Sequence, residues 1–151
     1  MIIRKIEHVA IACQDASALR TLLHDTLGLR QQESRVFAET GTTVELFPVG
    51  DGHLELIHSV KDDSLTSRWI ADHGQGLFHL CLEVDDIVGA IAELRGKNIE
   101  FLGAVPRIGH GGARVAFLDP ETTCGLLIEL AEMPRVEQPA ANEAQADGGR
   151  A

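Results

Sequence analysis

Gly76-Leu77-Phe78-His79-Leu80-Cys81-Leu82-Glu83-Val84-Asp85-Asp86 reads as a half-buried strand that carries a histidine and runs into an acidic helix start. The same layout occurs near the N-terminus, in Ile6-Glu7-His8-Val9-Ala10-Ile11-Ala12-Cys13-Gln14-Asp15. Superposing His8 on His79 also superposes Ala10 on Cys81 and Asp15 on Asp86, so the chain is an internal duplication of a strand-to-helix unit. Continued along the chain, the superposition brings Glu55, in Leu54-Glu55-Leu56, to within about three residues of Glu129, in Ile128-Glu129-Leu130, a slip that loop length absorbs. Each repeat therefore offers one His and one Glu on strands.

Taken singly, a histidine in an apolar strand is usually a hydrogen-bonded core residue and a glutamate a solvated one. A carboxylate flanked by Leu or Ile is costly unless it is paired or holds a cation. Its occurrence twice, each time with an in-strand His, points to a shared metal site made of His8, Glu55, His79 and Glu129.

The rest of the pattern completes two modules. Asp15 caps a helix predicted over about 16–27, with Leu19, Leu22, Leu23 and Leu27 as its apolar stripe and Gly28 as its stop. A short strand within 30–40, a strand over 42–47, the turn Gly50-Asp51-Gly52 and a strand over 53–58 follow. Asp62-Asp63-Ser64 begins a connecting helix to about Asp72, with Leu65, Trp69 and Ile70 inward. In the second half, Asp86 leads into a helix to about Lys97 with Ile87, Ile91 and Leu94 inward. Strands are predicted over 99–102, 114–118 and 126–131, the last two joined by Asp119-Pro120-Glu121. The fold class is thus α+β, with two tandem βαβββ modules (about 3–60 and 75–133) forming an open cupped mixed sheet around the metal site. Residues 1–133 form a single domain, and the polar stretch 134–151 reads as a disordered tail. The larger apolar face of each first strand should meet the helices, leaving both histidines on the concave face.

Composition narrows the function. At 151 residues the chain can bury a substantial core, and its net charge of -10, with no basic run, argues against nucleic acid. No apolar run approaches the roughly 18 to 20 residues of a membrane span, and no signal-peptide hydrophobic region opens the chain, so a cytoplasmic protein with no membrane partner is expected. Cys13, Cys81 and Cys124 lack CxxC spacing and read as reduced thiols.

These residues resemble the vicinal oxygen chelate superfamily, which includes glyoxalase I, extradiol dioxygenases, antibiotic-resistance proteins and the methylmalonyl-CoA epimerases. The resemblance to the epimerases runs from about Ile6 to Leu130. It rests on the two histidine strands, Leu54-Glu55-Leu56, Pro106-Arg107-Ile108-Gly109, Val115-Ala116-Phe117-Leu118 and Gly125-Leu126-Leu127-Ile128-Glu129-Leu130. Phe78 departs from that family by standing where a second His is usual, and Asp119-Pro120-Glu121 by replacing a His-Pro-Lys turn.

The resemblance implies a homodimer with one divalent ion per chain (Co, Ni, Zn or Mn) held by His8, Glu55, His79 and Glu129. It also implies an acyl-CoA substrate, with (R)- and (S)-methylmalonyl-CoA interconverted by α-proton abstraction through a metal-chelated enolate. Glu129 would be ligand and base together. Glu45 is the candidate second base, although counting from Gly41 puts Val44 at that family position. Arg107, His110 and Arg114 are the candidate substrate contacts. A glyoxalase I-type lyase acting on a glutathione hemithioacetal, or a non-enzymatic ligand-binding relative, would use the same fold.

Overall fold

In the computed structural model, which describes residues 1–134, eight strands form one mixed sheet in the order β2-β3-β4-β1-β5-β8-β7-β6. The first module supplies β1 (Ile3–Ala12), β2 (Glu33–Phe37), β3 (Thr42–Val49) and β4 (Gly52–Ser59); the second supplies β5 (Gly76–Val84), β6 (Arg107–Ile108), β7 (Arg114–Phe117) and β8 (Ile128–Glu132). In both modules the first strand pairs in parallel with the last, β1 with β4 and β5 with β8. The modules meet where β1 and β5 run antiparallel. The strand expected over 99–102 is reduced to an isolated bridge between Phe101 and Leu118. The tail expected at 134–151 lies, from residue 135, outside the described residues.

Strand register places the side chains. Partners across a ladder share a face, so the pairing generates one row Glu33–Leu46–Glu55–Ala10–His79 and an adjacent row Pro48–His53–His8–Cys81–Glu129–Phe117. All four expected ligands fall in these two rows, on the face away from α1 and α3. The opposite face is apolar. Helix α1 (Ala16–Thr21) covers Phe47 and Leu56 together with Cys13 and Leu23, and α3 (Ile87–Arg95) covers Val84, Ala116, Leu118 and Leu130. Asp15 and Asp86 cap the two helices as their positions dictate, each accepting from a backbone N–H of the first turn.

Two local departures have physical causes. The first helix does not continue as α to residue 27 but passes into a π turn over Leu22–Thr26, in which the Leu27 N–H reaches back to the Leu22 carbonyl. Each π turn inserts a residue and rotates the stripe. Leu23 is consequently buried, while Leu22 and Leu27, both expected inward, are 44% and 60% exposed. Helix α2 (Leu65–His73), the connector, is capped by Ser64 and buries Ile70 against Ala10, Ala12 and Phe78, leaving Leu65 exposed. Phe78 reaches that cluster because the β1–β5 ladder shifts register between Ala10 and Ile11.

Candidate active site

The sheet floor brings the expected ligands together. Nε2 of His8 lies 3.0 Å from Nε2 of His79, and both approach Oε2 of Glu129, at 3.2 and 3.1 Å. Glu55 approaches from the neighbouring strand with Oε2 3.8 Å from His8 Nε2. All four residues are buried, and each comes from a different strand. His8, His79 and Glu129 form the tight part of the cluster, with Glu55 at its margin.

The electrostatics follow from that crowding. Burial opposes ionisation of Glu129, yet hydrogen bonds from His79 and His8 and their charges outweigh it and hold the carboxyl well below the usual carboxylate range. Burial likewise opposes a charged His8, but hydrogen bonds with Cys81, Glu129 and Glu7 and the charge of Glu55 push its proton affinity far above that of a free imidazole. Glu55 goes the other way, because burial raises its pKa despite the two histidines. Two imidazole nitrogens and a carboxylate thus converge, with a second carboxylate at their margin, in a space that water barely reaches. Such a donor set fits a borderline divalent cation, which would satisfy all four at once.

Glu7 was not expected. A register shift between Ile6 and His8 turns both side chains of the Glu7-His8 pair toward the cup, where a Glu7 carboxylate oxygen contacts His8 Nδ1. The other Glu7 oxygen faces His53 Nδ1 at 3.2 Å. A carboxylate on Nδ1 fixes the ring so that Nε2 points into the cluster, the usual support for a ligating histidine. The signal in the sequence is only a Glu before a strand His, which without the bulge would point to the other face. His79 is held differently, by the rings of Phe78 and Phe117, whose centroids lie 5.0 and 5.1 Å away at steep angles. Phe78 therefore supplies packing at the position where the epimerases usually carry a second His.

The remaining expectations divide. Arg107 stands on the ligands' face, its guanidinium 5.0 Å from the centroid of Phe117. His110 is half-buried and faces Glu33 across the mouth of the cup, Nε2 to Oε1 at 3.1 Å. Arg114 is not in the cup: its register partner is Glu132, to which it donates at 2.5 Å, and Glu132 in turn accepts from the Ile87 N–H at the start of α3.

Glu45 is not brought to the cluster either. Its ladder partner is Leu56, on the helix face, where Arg20 of α1 donates to both its oxygens at 2.8 and 2.5 Å. Val44, the neighbour with Ile57 as partner, is the β3 residue that faces the cup. A one-residue difference in strand register separates the two outcomes.

Glu45 is 2% exposed, and Arg20 is the main reason its pKa lies below the ordinary value. Glu45→Gln should therefore leave metal content unchanged but lower stability at neutral pH by about 1–2 kcal/mol in urea unfolding, the scale of a charged hydrogen bond to a half-exposed partner. A carboxyl with a depressed folded pKa stabilises above its unfolded value near 4.5, and that contribution is lost as pH falls through the folded value. The gap between wild type and variant should accordingly narrow in acid.

Comparison with known proteins places this geometry in context. Residues 7–117 match the model of the Glyoxalase/Bleomycin resistance protein/Dioxygenase superfamily. The chain is 33% identical over 127 residues to the mitochondrial methylmalonyl-CoA epimerase of Mus musculus, covering 83% of this chain and 71% of the relative. It is 31% identical over 133 residues to the ethylmalonyl-CoA/methylmalonyl-CoA epimerase of Cereibacter sphaeroides, covering 87% of this chain and 99% of the relative. Among solved structures, a Ser-to-Thr variant of Streptomyces coelicolor methylmalonyl-CoA epimerase in complex with 2-nitronate-propionyl-CoA superposes with a TM-score of 0.83 at 29% identity, covering 91% of this chain and all of that one.

Proposed function

The chain belongs to the glyoxalase/bleomycin resistance protein/dioxygenase superfamily and within it to the methylmalonyl-CoA epimerases, and from that premise we propose that it is a metal-dependent isomerase interconverting (R)- and (S)-methylmalonyl-CoA. The observation that carries the reading is the buried convergence of His8, His79 and Glu129, with Glu55 beside them, on the floor of the cup. These residues would hold one divalent ion (Co, Ni, Zn or Mn), which when bound supplies positive charge to offset the negative charge that develops on the thioester as its α-proton leaves. A homodimer, implied by the resemblance, and a cytoplasmic location, expected from the sequence, belong to the same proposal. No helix among the described residues is long and apolar enough to cross a membrane.

The chain's own residues then have separable tasks. Both histidine contacts to Glu129 fall on Oε2, which leaves Oε1 as the oxygen that takes the α-proton. Glu7 keeps His8 in one tautomer and orientation through turnover. Arg107, stacked on Phe117 beside His79, offers a cation on the same face for the substrate carboxylate or a CoA phosphate.

One assay decides the substrate class. Metal-loaded protein incubated separately with each epimer of methylmalonyl-CoA, with ethylmalonyl-CoA and with the methylglyoxal-glutathione adduct should turn over the malonyl thioesters. Turnover of the glutathione adduct alone would replace this reading with a glyoxalase.

A further inference from the structure

Inverting a carbon through a planar intermediate needs one group to remove the proton on one side and another to return it on the opposite side. Glu129 accounts for one side only, and Glu45 faces the helices. The second group must lie on the concave face and on the wall opposite Glu129.

The sheet order defines that wall. From Glu129 on β8 the floor passes through His79 on β5, His8 on β1 and Glu55 on β4, and ends at Glu33 on β2, five strands away. Glu7 is already divided between His8 and His53. Cys81 is the ladder partner of Glu129 and so stands beside it, not on the opposite wall. His110 reaches the far wall from the second module, and its Nε2 meets Glu33.

The loop that delivers it is built for this reach. At Gly109 a Cβ would come within 2.8 Å of the Val115 side chain, and Gly111 and Gly112 hold φ of +63° and +79°, so the turn around His110 folds tightly over β7. Resting on the epimerase reading above, we infer that His110, oriented by Glu33, is the second acid/base of the reaction, acting on the face of the α-carbon opposite Glu129.

In one direction the neutral imidazole takes the α-proton on Nδ1 while Nε2 stays turned to Glu33, and the C–H electron pair moves toward the thioester carbonyl. Glu129, carrying the proton that it takes in a turnover of the opposite sense, then gives it to the other face of the carbon, and the pair returns to the new C–H bond. The reverse reaction exchanges the roles, and proton exchange with water restores the starting state. Burial holds the His110 pKa below the ordinary 6.5, against the raising charges of Glu33 and Glu7 and together with the lowering charges of Arg35 and His8, so the ring is available as a base near neutral pH. The Glu33 carboxylate lies 3.1 Å from Nε2, within reach of a hydrogen bond that a small rotation of the ring would complete, as carboxylates orient general-base histidines elsewhere.

The test uses metal-loaded wild type, His110→Gln and Glu33→Gln in deuterated water, with each methylmalonyl-CoA epimer supplied separately. For His110→Gln, interconversion should fall on the order of a hundredfold to ten-thousandfold. Its metal content should match wild type, and deuterium should still enter the one epimer whose α-proton faces Glu129. Interconversion near the wild-type rate, loss of metal, or loss of exchange from both epimers would each overturn the assignment. Wild type inert toward both epimers would instead remove the epimerase reading itself. Independently of turnover, the His110 ring should titrate below 6.5 by NMR, and Glu33→Gln should lower that midpoint further by removing a charge that raises it. A midpoint that ignores Glu33→Gln would overturn the pairing.

Discussion

Glu129→Gln should lower epimerisation on the order of a thousandfold or more and reduce bound metal in the same preparation, because the proposed site makes one side chain both ligand and base. The substitution is nearly isosteric, and an amide oxygen could still face His8 and His79, so the fold should survive. What disappears is a carboxylate that both histidines hold ionised against its burial. Glutamine carries no charge to offset a cation and cannot accept a proton. Turnover and elemental analysis on one sample would show both losses; activity within about tenfold of wild type would mean that the proton is taken elsewhere. Glu45→Gln is the matched control, since it removes a buried carboxylate of the same length on the other side of the sheet.

The other large effect is expected at His79. His79→Ala removes the imidazole whose Nε2 meets both His8 and Glu129, at 3.0 and 3.1 Å, and should take the protein from about one ion per chain to near none. Thermal unfolding gives a second readout. A ligand that binds only the folded state raises the melting temperature by mass action, so added metal should stabilise wild type and leave His79→Ala unmoved. The metal-free variant should also be less stable than metal-free wild type, because the ring fills space between Phe78 and Phe117. Unchanged metal content in this variant would sink the ligand assignment.

Much of this architecture was legible because its signals are periodic and doubled. The repeated His-strand and Asp cap specified both module starts, and the flanking Leu and Ile marked Glu55 and Glu129 as buried acids. What escaped depends on single-residue register. Glu45 and Val44 are both in a β-rich run, and only the pairing with Leu56 and Ile57 tells which faces the helix. Arg114 and Arg107 look alike in a loop-and-hairpin context, yet the ladder sends one to Glu132 and the other to Phe117. Glu7 was hidden because a bulge overrides strict alternation, and the π turn was hidden because Leu22 and Leu27 satisfy a helical stripe that the inserted residue rotates away.

The seam between β1 and β5 divides the proposed ligands evenly, His8 and Glu55 on one side and His79 and Glu129 on the other. A severed half would own half a coordination sphere, and two separate halves would have to find each other through the same antiparallel pairing before any ion could be shared. Their assembly would then depend on protein concentration, and dilution would disperse it. The connector through α2 removes that dependence, since Ile70 docks on Ala10 and Phe78 from either side of the seam and keeps each half at a high effective concentration for the other. Occupancy of the intact chain by metal should therefore be insensitive to protein dilution at fixed free metal, whereas a chain cut within the connector should lose its ion as it is diluted.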